Sequence, residues 1–197
     1  MCIEWLGLAS SGLRPHRVVM AIHKPQGDET TIYSPDDMQK LVSYLWEKRG
    51  QTTAQSALLY VVLGAFAGLR PAEASSLDWK AIDFTANQIH LTAVSPKVGR
   101  MVPIQLNLLA FLFPYKSRKG RIVIHEKVTN LLRGFCEVAG VKHIPNGLRR
   151  SYAAYRLVEN APETIQAEMG APMAVTESKL QKLPTAALAK KYWAILP

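Results

Sequence analysis

The run from Ala57 to Leu69, ALLYVVLGAFAGL, constrains this chain more than any other stretch. It carries no charge and is apolar on every helical face, so other elements must wrap it. It is also shorter than the roughly 20 residues a helix needs to cross a bilayer. The spacing predicts a buried helix over 53–67, ended by Gly68, with Pro71 opening a short third helix. At 197 residues, with 48% hydrophobic and 20% charged side chains, the chain is long enough to bury such a helix in one soluble domain.

The elements around that helix follow from local signals. Ser34 is a natural N-cap, Pro35 suits the first helical position, and Asp36 and Asp37 favour the positive end of the dipole. Met38, Leu41, Val42 and Leu45 continue at helical spacing until Gly50. The period then shortens, and residues 79–84, 88–93 and 100–104 read as three short strands with turns at Asn87 and at 96–99. Further helices are expected over 106–112, 125–139, 146–159, 162–169 and 185–193. The expected class is mainly α with a small three-stranded antiparallel β-sheet (α+β). Residues 1–33, with Pro15, Pro25 and Gly27 and no sustained period, read as an incoming linker, and 34–197 as the domain.

Charge is unevenly placed. The net charge is +9, and residues 101–160 alone hold ten basic and three acidic side chains. A concentrated excess suits a polyanion, although a solvated surface explains charge alone equally well. Cys2 and Cys136 make no disulfide framework and fit a reduced, cytoplasmic setting. The five histidines show no metal-ligand spacing, and no metal or cofactor is expected. No secretory signal or membrane span is read.

Breaking and rejoining a phosphodiester needs cations on the charged transition state, a nucleophile that stays on phosphorus, and an acid for the leaving oxygen. Arg70 stands where the apolar helix meets Pro71, and a guanidinium can grip a phosphate with two parallel bonds. Arg149, in HIPNGLRRSYAAYRL (143–157), falls in the first turn of a helix. A cation there opposes the dipole, which favours an external anion as its partner. Lys97 lies in the turn between the second and third strands. Each has a structural alternative: Arg70 paired with Glu73, Arg149 on the surface, Lys97 as one exposed lysine among several.

Together these segments closely resemble the catalytic domain of the tyrosine recombinases, the phage-integrase family. The resemblance rests on GLRPAEASSLDWKAIDF, with Arg70, Glu73, Leu77 and Asp78, then SPKVGRMVPI, then NGLRRSYAAYRL, and it spans about residue 31 to the C-terminus. It implies that Arg70 and Arg149 clamp the non-bridging phosphate oxygens and that Lys97 is the general acid. A gapless match back from Val102–Pro103 puts Ser95 at the lysine's place instead. Duplex DNA is the implied partner, met by Arg70, Lys97, Arg100, Lys116, Arg118, Lys119, Arg121, Arg149 and Arg150. In the family the last helix can dock on a neighbouring protomer, so a second copy or an intact recombinase is a further candidate partner.

The pattern then breaks. Asn146 takes the place of the usual histidine, as in some bacterial integrase subgroups. Ala171, after Met169-Gly170, replaces a residue that bonds the phosphate, and alanine has no group to do so. Matching forward from Glu168-Met169-Gly170 and back from the C-terminal KKYWAI both reach Leu180 where the nucleophilic tyrosine belongs. Tyr192 lies twelve residues later. It reads as a packing aromatic, with a minority role as a substitute nucleophile, which the last helix could also deliver in trans. Tyr152 reads as core and Tyr155 as a packed aromatic. The family's N-terminal clamp domain is not matched. The expectation is a truncated, degenerate integrase domain of a mobile element that binds DNA without cleaving it. The rivals are an active recombinase using Tyr192, and a helical domain with fold-level resemblance and no DNA role.

Overall fold

The computed structural model describes residues 31–92, 99–170 and 183–197. Its axis is the expected apolar helix, α2 (Thr52–Ala67), in which every residue from Ser56 to Ala67 is buried. Helix α1 (Pro35–Glu47) packs on it and begins as the sequence implies: the Ser34 hydroxyl accepts from Asp37 N at 3.0 Å. Met38, Leu41, Val42 and Leu45 form its buried face. Tyr33, the last residue of the expected linker, also belongs to the core. Its hydroxyl accepts from Ile144 N, and its own N–H donates to the Ser151 hydroxyl at 2.8 Å.

Gly68 stops α2 in the left-handed conformation, at φ +62°. A Cβ there would lie 2.4 Å from the Tyr152 ring, so both backbone and packing require glycine. The chain turns into α3 (Pro71–Ser76) and then a three-stranded antiparallel sheet in the order β1-β2-β3: β1 Ile82–Asp83, β2 Gln88–Leu91, β3 Arg100–Pro103. Ile82 pairs with Ile89, and Ile89 with Val102, which stacks three apolar side chains on the core face.

The first strand is shorter than the pattern predicts. The Asp78 carboxylate accepts from Lys80 N and turns Trp79–Ala81 into a single 3-10 turn. Asp83 Oδ1 accepts from Thr85 N and Ala86 N and ends the strand after two residues. These local side-chain bonds outcompete the ladder. The sheet leads to α4 (Leu106–Leu112), α5 (Val128–Val138), α6 (Gly147–Arg156), α7 (Pro162–Met169) and α8 (Ala186–Trp193). The α5 helix starts about three residues later than its pattern suggests, after Lys127 N bonds His125 Nδ1. Helices α1, α3, α4, α5 and α6 all contact α2, while α7 packs on β3 and α8 on α1 and α6. Among the described residues no helix is long and apolar enough to cross a membrane.

Candidate functional site

The C-terminal end of α2 and the first turn of α6 meet at one corner, because α6 is the closest neighbour of α2. Gly64 makes that contact possible: a Cβ there would lie 3.0 Å from Leu148 Cβ. The two arginines read from sequence, Arg70 just after α2 and Arg149 in the first turn of α6, are thereby brought to the same place. A third, Arg100 on β3, joins them.

All three guanidiniums fasten on the end of α7. Arg100 Nε donates to Glu168 O at 2.8 Å, Arg149 Nη2 to Met169 O at 2.9 Å, and Arg70 Nη2 to Gly170 O. These successive carbonyls are the acceptors a helix leaves unpaired at its C-terminus, where the dipole also favours cations. Arg149 Nη1 bonds Gly68 O as well, tying the α2 terminus to the same arginine. Gly170 adopts φ +59°, and a Cβ on it would press 3.0 Å from Arg100 Cδ.

Among the described residues one carboxylate serves this cluster. Glu73 accepts from Arg70 Nη1 at 2.7 Å and from Arg100 Nη1 and Nη2 at 2.8 Å each, and it caps its own helix by accepting from Arg70 N. Burial would raise this carboxyl, but the bonds from Arg100 and Arg70 win and hold it at about 2. Glu168 is nearby, but its carboxylate is taken by Arg156 Nη2 at 2.5 Å and the Tyr152 hydroxyl at 2.6 Å. Among the described residues Arg149 therefore has carbonyl partners and no carboxylate. Burial, followed by the charge of Arg70, pulls its guanidinium down to about 10. Among the described residues, three guanidiniums around one carboxylate leave a positive excess at a partly open surface, which is the electrostatic form of an anion site.

The other sequence candidates divide. Asn146 caps α6 at φ 57° with no side-chain cap bond, and asparagine enters this left-handed region more readily than most residues. Arg150 follows Arg149 on α6 and is partly exposed. Arg100, expected on the DNA surface, bonds Glu73 and Glu168 O. In the basic loop, Arg121 donates to Ser75 O, Arg118 lies over Tyr115 and donates to Gln55 Oε1, Lys116 lies over the Phe113 ring, and Lys119 is exposed. Lys97, Ala171 and Leu180 lie outside the described residues.

Tyr192 is fully buried. Its hydroxyl donates to Ala65 O at 2.9 Å, its ring stacks on Tyr155 with centroids 4.0 Å apart, and burial raises its pKa well above the ordinary phenol value. Tyr152 and Tyr155 are also core. The role of Glu73 as the carboxylate shared by two arginines was only half visible in sequence. Its spacing from Arg70 signals one bond, but nothing local signals the bond to Arg100.

No family model matches the chain, and no curated protein matches it by sequence. Solved structures do match by shape. The XerA recombinase superposes with a TM-score of 0.65 at 19% identity, over 86% of this chain and 65% of that one. The catalytic domain of bacteriophage HP1 integrase gives 0.60 at 17%, over 77% and 87%. The XerH site-specific recombinase bound to its difH substrate gives 0.59 at 15%, over 76% and 50%. The chain thus spans about two thirds of the XerA chain and half of the XerH chain. The element order, the arginine corner and these superpositions together identify the fold as that of the tyrosine-recombinase catalytic domain.

Proposed function

We propose that this domain binds the backbone of duplex DNA through the corner formed by Arg70 and Arg149, and that it does not cleave the strand. The observation that carries the reading is the convergence of Arg70, Arg100 and Arg149 around the carboxylate of Glu73. Arg100 and Glu73 largely neutralise each other and set the geometry, leaving Arg70 and Arg149 as the surplus cations. XerH, solved with its difH substrate, and the Tn1549 integrase, solved with a circular intermediate DNA, support duplex DNA as the anion. The absence of cleavage is inferred from Leu180 at the nucleophile's place in sequence and from the burial of Tyr192, the sole tyrosine after it. Lys97 is kept in the proposed contact set on sequence grounds alone.

Fluorescence anisotropy with a labelled duplex across salt concentrations tests the binding. The slope of log K against log salt should fall by about one for each phosphate contact removed, so Arg149→Ala and Arg70→Ala should each flatten it. Unchanged affinity and slope in both variants would remove DNA from the reading. A suicide duplex tests the chemistry: no covalent adduct is expected, and an adduct lost in Tyr192→Phe would establish an active recombinase instead.

A further inference from the structure

A cleft of about 500 Å³ opens between α2, α3, α5 and the first turn of α6. That is within the roughly 300–1,000 Å³ of small-molecule sites. Its walls are apolar, from Leu69, Leu132, Ile144 and Leu148. Tyr60 lies at its buried side, only 5% exposed, and its hydroxyl makes no hydrogen bond among the described residues. Its hydroxyl can donate to an acceptor placed in the cleft. Arg133 lines the cleft from the exposed face of α5, with His143 beside it, and no aspartate or glutamate is among the lining residues.

We propose that this cleft binds a small aromatic carboxylate. The flat apolar body would cover the leucine and isoleucine walls, and the carboxylate would accept from Arg133 at the mouth. A polar atom on the ring system would meet the Tyr60 hydroxyl. Arg149 and Asn146 line the end of the cleft next to the arginine corner. A phosphodiester backbone could meet Arg133 and Arg149 but would leave the apolar walls and Tyr60 bare, which favours the small molecule. The cleft shares Arg149 with the proposed DNA-binding corner, but its ligand is measured with no DNA present, so the two readings fail separately.

Isothermal titration calorimetry with 2-naphthoate, and with 2-naphthylmethylammonium as the cationic counterpart, tests it on the full chain. Saturable one-to-one binding of the naphthoate is expected, with the ammonium weaker by about tenfold or more. Thr129→Trp, at an exposed position that narrows the mouth, and Arg133→Glu should each weaken naphthoate by about tenfold or more. Tyr60→Phe, tested with 6-hydroxy-2-naphthoate, should weaken binding by about fivefold. The proposal is overturned if naphthoate does not saturate, if the ammonium binds equally well, or if Thr129→Trp and Arg133→Glu leave affinity unchanged. It is also overturned if those two variants weaken a duplex while naphthoate fails to bind, which would give the cleft to DNA.

Discussion

Arg100 and Glu73, 27 residues apart, meet in a two-bond fork at 2.8 Å from each carboxylate oxygen. The fork joins β3 to α3, and Arg70 shares the same carboxylate, so the pair sets where Arg70 can point. It also predicts a pH dependence. The Glu73 carboxyl sits at about 2 in the fold against an ordinary 4.5, so its contribution is complete above pH 4.5 and is lost as pH falls toward 2. Glu73→Gln should cost about 2 kcal/mol at pH 7, less than the full shift implies because the carboxylate keeps some water contact. Urea unfolding at pH 7, 4 and 2 should show the gap between wild type and variant closing. A gap independent of pH would mean the fork contributes nothing through charge.

Gly68 joins the core to the site through its backbone. Its carbonyl accepts from Arg149, and its φ of +62° leaves no room for a side chain against Tyr152. Gly68→Ala combines a left-handed alanine with an overpacked contact, for a cost of about 2–4 kcal/mol. Thermal unfolding measures it. The DNA salt slope should flatten in the same variant, because displacing Gly68 moves the carbonyl that holds Arg149. A variant as stable as wild type would show that the Tyr152 ring yields freely.

The architecture was legible because its signals are local or periodic. The apolar run fixed α2, Ser34 and Pro35 fixed the start of α1, and the GLR and NGLRR segments marked the two arginines that α2 and α6 bring together. The misreadings came from competing side-chain bonds. Asp78 and Asp83 cut β1 short, and a hydrophobic pattern does not register a carboxylate bonding a backbone N–H two residues on. The bonds of Arg100 to Glu73 were not legible for a different reason. A basic residue looks the same in sequence whatever anion it faces, and only the tertiary structure brings β3 against α3 so that Arg100 meets a glutamate 27 residues away.

Tyr192 gives a direct measure of how firmly the last helix is held. Its hydroxyl bond to Ala65 O reaches the last turn of α2, and its ring lies between Phe66 and Tyr155. Tyr192→Phe should cost about 1 kcal/mol for the lost bond. Tyr192→Ala should cost about 3–5 kcal/mol for the cavity. Guanidinium unfolding distinguishes them. If Tyr192→Ala unfolds at the wild-type midpoint, α8 is not docked on its own chain in solution, and a place on a neighbouring copy regains support.

Arg156 and Glu168 tie α6 to α7, and through α7 they hold the carbonyls on which the three arginines rest. The pair is largely buried, with side chains 13% and 8% exposed and a closest distance of 2.5 Å, and the Tyr152 hydroxyl bonds the same carboxylate. Removing one partner leaves the other charge buried and alone, which costs about 3–5 kcal/mol. Replacing both by apolar residues removes that penalty. Glu168→Leu alone and Arg156→Met alone should therefore each destabilise strongly, and the double variant should recover about half the loss or more. A double-mutant cycle by urea unfolding measures the coupling. Purely additive losses would show that the ion pair contributes no coupling and that the tie between the helices is apolar packing, chiefly Tyr152 against Ile165 and Met169.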